Sequence, residues 1–256
     1  WSKDKGITSL MDRATGGEVL DPSAPALGCP IYQIFPGGNR GLAGSISPAR
    51  KRPEDQVTTG RCTAIKRAAS GPVYERWEFQ YEVPGASQYA VVATFFRDLP
   101  HFELIARLIK TDVREPEGFY VLFPFAVKGG VWHLDKPGAL IRPGLDQLPQ
   151  TCTDYYLVQH GAVLAGSDCG VAWATLDAPM IQLGQLRLWT YSTRIEPTGS
   201  LYSWLTNNKW ETNFRLSCGG AYDFRYQIQV GRALANAGQA AATVRALSYP
   251  PLVMRS

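Results

Sequence analysis

Tyr222-Asp223-Phe224-Arg225-Tyr226-Gln227-Ile228-Gln229-Val230 alternates apolar and polar residues without a break. Successive side chains of a β-strand point to opposite faces. Tyr222, Phe224, Tyr226, Ile228 and Val230 therefore share one side, and Asp223, Arg225, Gln227 and Gln229 the other. The pattern predicts a half-buried strand with one wet face. Around Trp77 the same period recurs: Trp77, Phe79, Tyr81 and Val83 point one way, Arg76, Glu78, Gln80 and Glu82 the other. Less regular apolar runs predict strands over Tyr89–Arg97, Phe102–Lys110, Phe119–Val127, Tyr155–Ala165, Gly170–Leu176, Gln182–Ser192 and Leu201–Thr206. Turn signals such as Pro84-Gly85, Lys128-Gly129-Gly130, Pro137-Gly138, Pro143-Gly144 and Gly219-Gly220 separate them.

One segment reads as helix. Arg232–Ala246 is rich in Ala and poor in β-branched residues, and Pro250-Pro251 stops it ahead of a final strand. Pro36–Gly60 holds few large apolar residues and much Gly, Ser, Pro and charge, and is expected to be a long, mobile surface loop. No fixed-length repeat and no linker divides the chain. The expected architecture is all-β: one antiparallel β-sandwich over residues 1–256 with a short C-terminal helix.

Composition agrees with a globular chain. Hydrophobic residues make up 45% and charged residues 19%, enough apolar material for a core and too little charge for disorder. Twenty-six Lys and Arg against 22 Asp and Glu leave a charge of +4, weak support for a polyanion partner, so no nucleic acid is expected. The longest apolar runs fall short of a membrane-spanning helix, and no membrane partner is expected. The sequence opens at Trp1 inside a patterned segment, and we expect it to be a fragment of a longer chain. Five cysteines (29, 62, 152, 169 and 218) at wide spacing fit buried free thiols in a reducing, cytoplasmic compartment, although a pairing such as Cys152 with Cys169 stays open.

Chemistry-bearing motifs are few. His101, His133 and His160 lack the spacing of a protein-built metal site, so no metal ligand is assigned. His160 reads as a core or edge histidine, and His133 as a residue that could line a sugar site. No nucleophile elbow or phosphate-binding loop is present. Asn207-Asn208-Lys209-Trp210-Glu211-Thr212-Asn213-Phe214-Arg215 is the most unusual segment. Its amides match vicinal sugar hydroxyls, and an indole stacks on the C–H face of a pyranose. The same residues would also suit a tight turn in which Asn caps backbone and Trp210 plugs the sandwich end. Arg142–Pro149, with Asp146 and Gln147, is a second polar cluster that binds a ligand or holds a long turn. Glu117, ahead of an aromatic strand, reads as an acid, a ligand or a turn residue.

Taken in order, these pieces resemble the C-terminal β-sandwich region of glycoside hydrolase family 38, the α-mannosidase family, especially its bacterial-type members. Gly6–Arg13 with Gly17–Asp21 looks like the family's opening hairpin, and Glu117–Phe125 its Glu-to-Phe-Pro-Phe strand. Asp146-Gln147-Leu148-Pro149 looks like its D-Q-x-P turn, and Asp177-Ala178-Pro179 is similar to its D-A-P element. Asn207–Phe214, followed by Phe224-Arg225-Tyr226, is similar to its asparagine-rich signature. The resemblance implies the large sandwich shared with galactose mutarotase-like domains. It also implies a retaining, zinc-dependent parent whose aspartate nucleophile, acid/base and most zinc ligands lie in an N-terminal α/β domain that is not part of this sequence. No catalytic residue is therefore assigned here. The expected role is an accessory domain that docks on that catalytic domain and supplies a carbohydrate-binding wall for a mannoside-like sugar. The wall residues would be Asn207, Asn208, Trp210, Thr212, Asn213 and Arg215, with Asp146. The alternatives are a mutarotase-like epimerase pairing Glu117 or Glu211 with His133 or His160, and a purely structural module.

Overall fold

The computed structural model describes residues 1–35, 56–187, 199–209 and 215–249. In chain order the strands are β1 (Pro30–Ile34), β2 (Gln56–Thr59), β3 (Arg61–Ser70), β4 (Tyr74–Glu82), β5 (Ala86–Phe96), β6 (His101–Lys110), β7 (Glu117–Pro124) and β8 (Val131–Lys136). They continue as β9 (Ala139–Ile141), β10 (Tyr156–Leu157), β11 (Gly161–Ala165), β12 (Gly170–Thr175), β13 (Met180–Leu183), β14 (Ser200–Asn207) and β15 (Gly220–Gly231). A 3₁₀ turn, Arg232–Ala235, and one helix, α1 (Ala237–Ser248), follow.

The described strands form two antiparallel sheets. One runs β10-β13-β14-β7-β1-β2, the other β3-β4-β5-β6-β15-β12-β11-β8-β9. Their inner faces meet in an aromatic core. Phe123 of the six-stranded sheet lies 5.3 Å from Trp173 and 4.9 Å from Tyr226, both on the nine-stranded sheet, with ring edges meeting faces. Trp173 and Tyr226 stack at 5.5 Å. Such pairs add about 0.5–1.5 kcal/mol each beyond their buried area. The Tyr226 hydroxyl donates to Ser203 Oγ at 2.9 Å, so its polar end is also satisfied across the sandwich.

Strands β11 and β12 are buried on both faces, which explains their unbroken apolar sequence. Ala162, Leu164, Val171 and Trp173 face the sandwich core. Val163, Ala165, Ala172 and Ala174 face outward and carry Leu234, Ala240, Ala241, Val244 and Leu247 of the C-terminal segment. The small alanines let the helix lie close to the sheet. Strand β15, at the margin of that cover, keeps the alternation: Phe224, Tyr226 and Ile228 are buried, and Asp223 and Arg225 exposed.

Four sequence-based boundaries shift. The run 155–165 is not one strand; β10 joins the six-stranded sheet and β11 the nine-stranded one, and the chain bends between sheets at Gln159-His160. Residues 56–59, drawn as the end of a loop over 36–60, form the exposed strand β2 against β1; residues 36–55 lie outside the described residues. The helix starts five residues late. Asn236, extended at φ −85°, accepts the Gln239 N–H on its side chain and caps α1, leaving 232–235 as a separate turn. The strand drawn over 182–192 is Met180–Leu183, and residues 188–192 lie outside the described residues.

Edge strand β3 is exposed over most of its length and carries two register shifts, at Cys62/Ala64 and Arg67/Ala69. Such bulges, with Arg61, Lys66 and Arg67 along it, keep another strand from adding there.

The 3₁₀ turn crosses β12 at Gly170, where a Cβ would stand 2.0 Å from the Leu234 carbonyl oxygen. Gly170→Ala should cost about 1–3 kcal/mol by forcing the C-terminal segment off the sheet. Gly71→Ala, with no atom within 4 Å of the new Cβ, should be near neutral. Thermal denaturation of the two variants checks this; equal losses would contradict it.

Candidate functional site

The asparagine-rich segment leaves the end of β14 at one pole of the sandwich. Register places several strand ends there: Ile34 opposite Glu117, Asn207 opposite Gly118, and Gly220 opposite Lys110. The pole is held by polar side chains turned inward. Asn208 is 2% exposed. Its Nδ2 donates to the carbonyls of Val113, Glu115 and Leu216 at 2.9–3.1 Å, and its Oδ1 accepts the Glu117 N–H at 2.8 Å. With two hydrogens for three acceptors, one bond is shared. Asn207 Oδ1 accepts the Lys209 N–H at 2.8 Å, a local turn bond. Lys209 sets its ammonium 4.3 Å from the centre of the Phe35 ring. Arg215 is exposed. Trp210, Thr212 and Asn213 lie outside the described residues.

Beneath Asn208 lies a charged pair that the sequence reading did not assemble. Lys110 Nζ is 2.5 Å from Glu117 Oε1, with their side chains 0% and 3% exposed. The Tyr32 hydroxyl donates to Glu117 Oε2 at 2.5 Å, and Lys110 also donates to the Thr111 carbonyl. Burial, then the Glu117 contact, pushes the Tyr32 hydroxyl pKa up, so it stays a donor. Removing one member of such a pair strands the other charge in the core. Gly85, at φ +76°, passes the Tyr32 ring so closely that a Cβ would stand 2.3 Å from it.

Asp146 belongs to a different turn. Its carboxylate takes the Arg142 backbone N–H at 2.9 Å, Nε at 2.9 Å and Nη2 at 2.8 Å. Gln147 Oε1 accepts the Gly144 N–H and the Tyr156 hydroxyl. Asp177, in another of the motifs, holds Arg225 by the same three bonds, joining two motifs 48 residues apart. The Arg142 side-chain bonds, then its backbone bond, hold the Asp146 pKa down at about 2.

The histidines take separate places. His160 occupies the bend between β10 and β11, with Nδ1 2.5 Å from Asp135 Oδ2 and Nε2 2.9 Å from the Tyr249 hydroxyl. Arg245 of α1 donates twice to Asp135 Oδ1. This chain fastens the helix to the sheet. His133 Nδ1 lies 3.0 Å from the Val131 carbonyl. Glu117 and His160 thus sit in separate closed clusters, not across a pocket as an epimerase would need; Glu211 lies outside the described residues. Among the described residues no three His, Cys, Asp or Glu side chains gather to hold a metal, and all five cysteines are free. Burial pushes the Cys29 thiol up to about 12, so it is a poor nucleophile.

Asn208→Ala should destabilise the chain by roughly 2–4 kcal/mol, because buried backbone groups lose their partners, whereas Asn207→Ala should cost under about 1 kcal/mol. Chemical denaturation would read both; equal costs would contradict the geometry. The Asp146 clamp gives a pH signature. A depressed folded pKa contributes stability above the ordinary carboxylate value, about 3.9, and that contribution is lost as pH falls toward 2. Carboxyl NMR should place the Asp146 midpoint near 2, and Arg142→Ala should raise it toward the ordinary value.

No protein-family model matches the chain, and no curated protein matches it. Solved structures do. An α-mannosidase from Enterococcus faecalis V583 aligns over 92% of this chain with a TM-score of 0.63 and 15% identity. A glycosyl hydrolase family 38 protein from Enterococcus faecalis aligns over 94% with a TM-score of 0.62 and 13% identity. A putative aldose 1-epimerase from Escherichia coli K12 aligns over 84% of this chain and 89% of its own, at 11% identity and a TM-score of 0.38 that does not establish a shared topology. The present chain spans 29% and 30% of the length of the two Enterococcus chains. It carries the β-sandwich fold of just under a third of an α-mannosidase and of a family 38 glycosyl hydrolase.

Proposed function

We propose that the chain is the C-terminal accessory β-sandwich domain of a family 38-like glycoside hydrolase, non-catalytic alone and forming one wall of a mannoside-like sugar site. The observation that carries this reading is the alignment of nearly the whole chain with a third of two much larger chains, one an α-mannosidase. The ordered motifs support it, because Asp177 and Arg225 from two of them bond to each other. Fold likeness alone grants no activity, and the described residues offer no cluster for zinc. In this reading zinc, nucleophile and acid/base belong to a preceding catalytic domain, which is also the partner.

Asn207, Asn208, Trp210, Thr212, Asn213, Arg215 and Asp146 remain the proposed wall. Within it the geometry favours unequal roles. Asn208 spends its amide on backbone and so shapes the segment, while exposed Arg215 is free to reach a ligand.

The test uses the full-length parent enzyme. Arg215→Ala and Asn213→Ala should lower turnover on an aryl α-mannoside roughly ten- to a hundredfold at nearly unchanged melting temperature, the size expected for a lost hydrogen bond to a transition state. Asn208→Ala should lower melting temperature with near-normal turnover per folded molecule. The chain alone, with zinc added, should not turn over. Normal turnover in folded Arg215→Ala and Asn213→Ala would reject the wall; mannoside hydrolysis by the chain alone would reject the accessory role.

A further inference from the structure

Helix α1 covers only part of the outer face of the nine-stranded sheet. It lies on β11 and β12. On the same face, over β3, β4, β5, β6 and β15, no other described element covers the sheet, which holds an open hollow of about 820 Å³. Small-molecule sites span about 300–1,000 Å³.

The register shows why a hollow forms there. Gln80, Ala90, Arg107 and Asp223 stand directly opposite one another on four successive strands. Gln88, Ile109 and Ala221 form the adjoining row. Long side chains flank Ala90 and Ala221, and the two alanines leave the floor low. A wet sheet face is expected to be polar throughout, yet this one has an apolar strip. Ile109 is 42% exposed between Gln88 and Ala221. Around the strip stand amides, carboxylates and a guanidinium. Gln80 Nε2 donates to Glu78 Oε1 at 2.9 Å, and Arg107 Nε lies 3.7 Å from Asp223 Oδ2.

An apolar strip edged by donors and acceptors matches the two aspects of a sugar, its C–H faces and its hydroxyl rim. The charges narrow the class. Arg107 faces Asp223 and Lys66 stands opposite Glu78, so the charges balance and no net field draws a sulfated, phosphorylated or uronic ligand. The floor cannot accept another strand, because its backbone groups are already paired within the sheet. We infer that this hollow is a surface binding site for a neutral oligosaccharide, set by the row Gln80, Ala90, Arg107 and Asp223 and not by the side chains of the asparagine-rich segment.

The inference does not rest on the parent's activity, and its test keeps the two apart. The chain is titrated calorimetrically with neutral oligosaccharides of two to five residues (α-mannose, maltose, cellulose and chitin series), and with a heparin tetrasaccharide as the charged comparison. At least one neutral series should bind with a dissociation constant in the millimolar range or below. Ala90→Phe, which fills the floor, and Arg107→Ala should each weaken binding tenfold or more. Melting temperatures report that both variants are folded, and Gln88→Ala serves should Ala90→Phe fail to fold. Binding by heparin alone, no binding by any neutral series, or unchanged binding in the folded floor variants would overturn the inference. So would loss of binding on Arg215→Ala but not Ala90→Phe, which would place the sugar at the other site. A dimer in sedimentation that Ala90→Phe dissolves would make the face a contact between copies and would also overturn it.

Discussion

The contact between Phe123 and the Trp173–Tyr226 stack is the constraint on which the rest of the molecule depends. There one ring of the six-stranded sheet meets two of the nine-stranded sheet, which fixes the faces of three strands at once. With Phe123 inward, Tyr120 and Leu122 of β7 must point the other way. With Trp173 inward, Ala172 and Ala174 must point out, and with Val163 and Ala165 they make the apolar bed under α1. A one-residue slip of β12 would put Trp173 under the helix and an alanine in the core.

Polar side chains then close the periphery. Asp146 and Asp177 each grip one arginine by its backbone and its guanidinium, a bidentate geometry that fixes a turn as firmly as a cap fixes a helix. Asn208 ties three backbone carbonyls, and Asp135 ties His160 to Arg245. Several residues that make the sequence resemble a glycosidase are thus, in this chain, devices for holding turns.

The buried Lys110–Glu117 pair is different in kind. A hydrophobic pair of equal volume would serve stability as well. Its position ties β6 to β7 beneath the asparagine-rich segment. In the reading proposed here, it gives the presented residues a rigid base. The pole and the open outer face adjoin at the ends of β6 and β15 but have different supports. One hangs on side-chain staples at strand ends, the other on the register of four paired strands.

The sheet period, the strand faces and the C-terminal helix were legible in the sequence, because alternation at 222–230 and 77–83 is written residue by residue in local side-chain polarity. At 142–149 the sequence offered a ligand site or a long turn, and the local Arg142–Asp146 and Gly144–Gln147 bonds make it a turn. Tertiary structure alone decided which residues meet over long separations. Nothing near Lys110 announces Tyr32, and nothing near Asp135 announces Arg245, 110 residues on. It also decided the fate of Asn208, whose amide suits a sugar hydroxyl and a backbone carbonyl equally well. Chemistry gives an amide both uses; burial at the meeting point of several strand ends selects the backbone. The split of 155–165 between two sheets was hidden for the same reason: an apolar run records that a segment is buried, not which layer it joins.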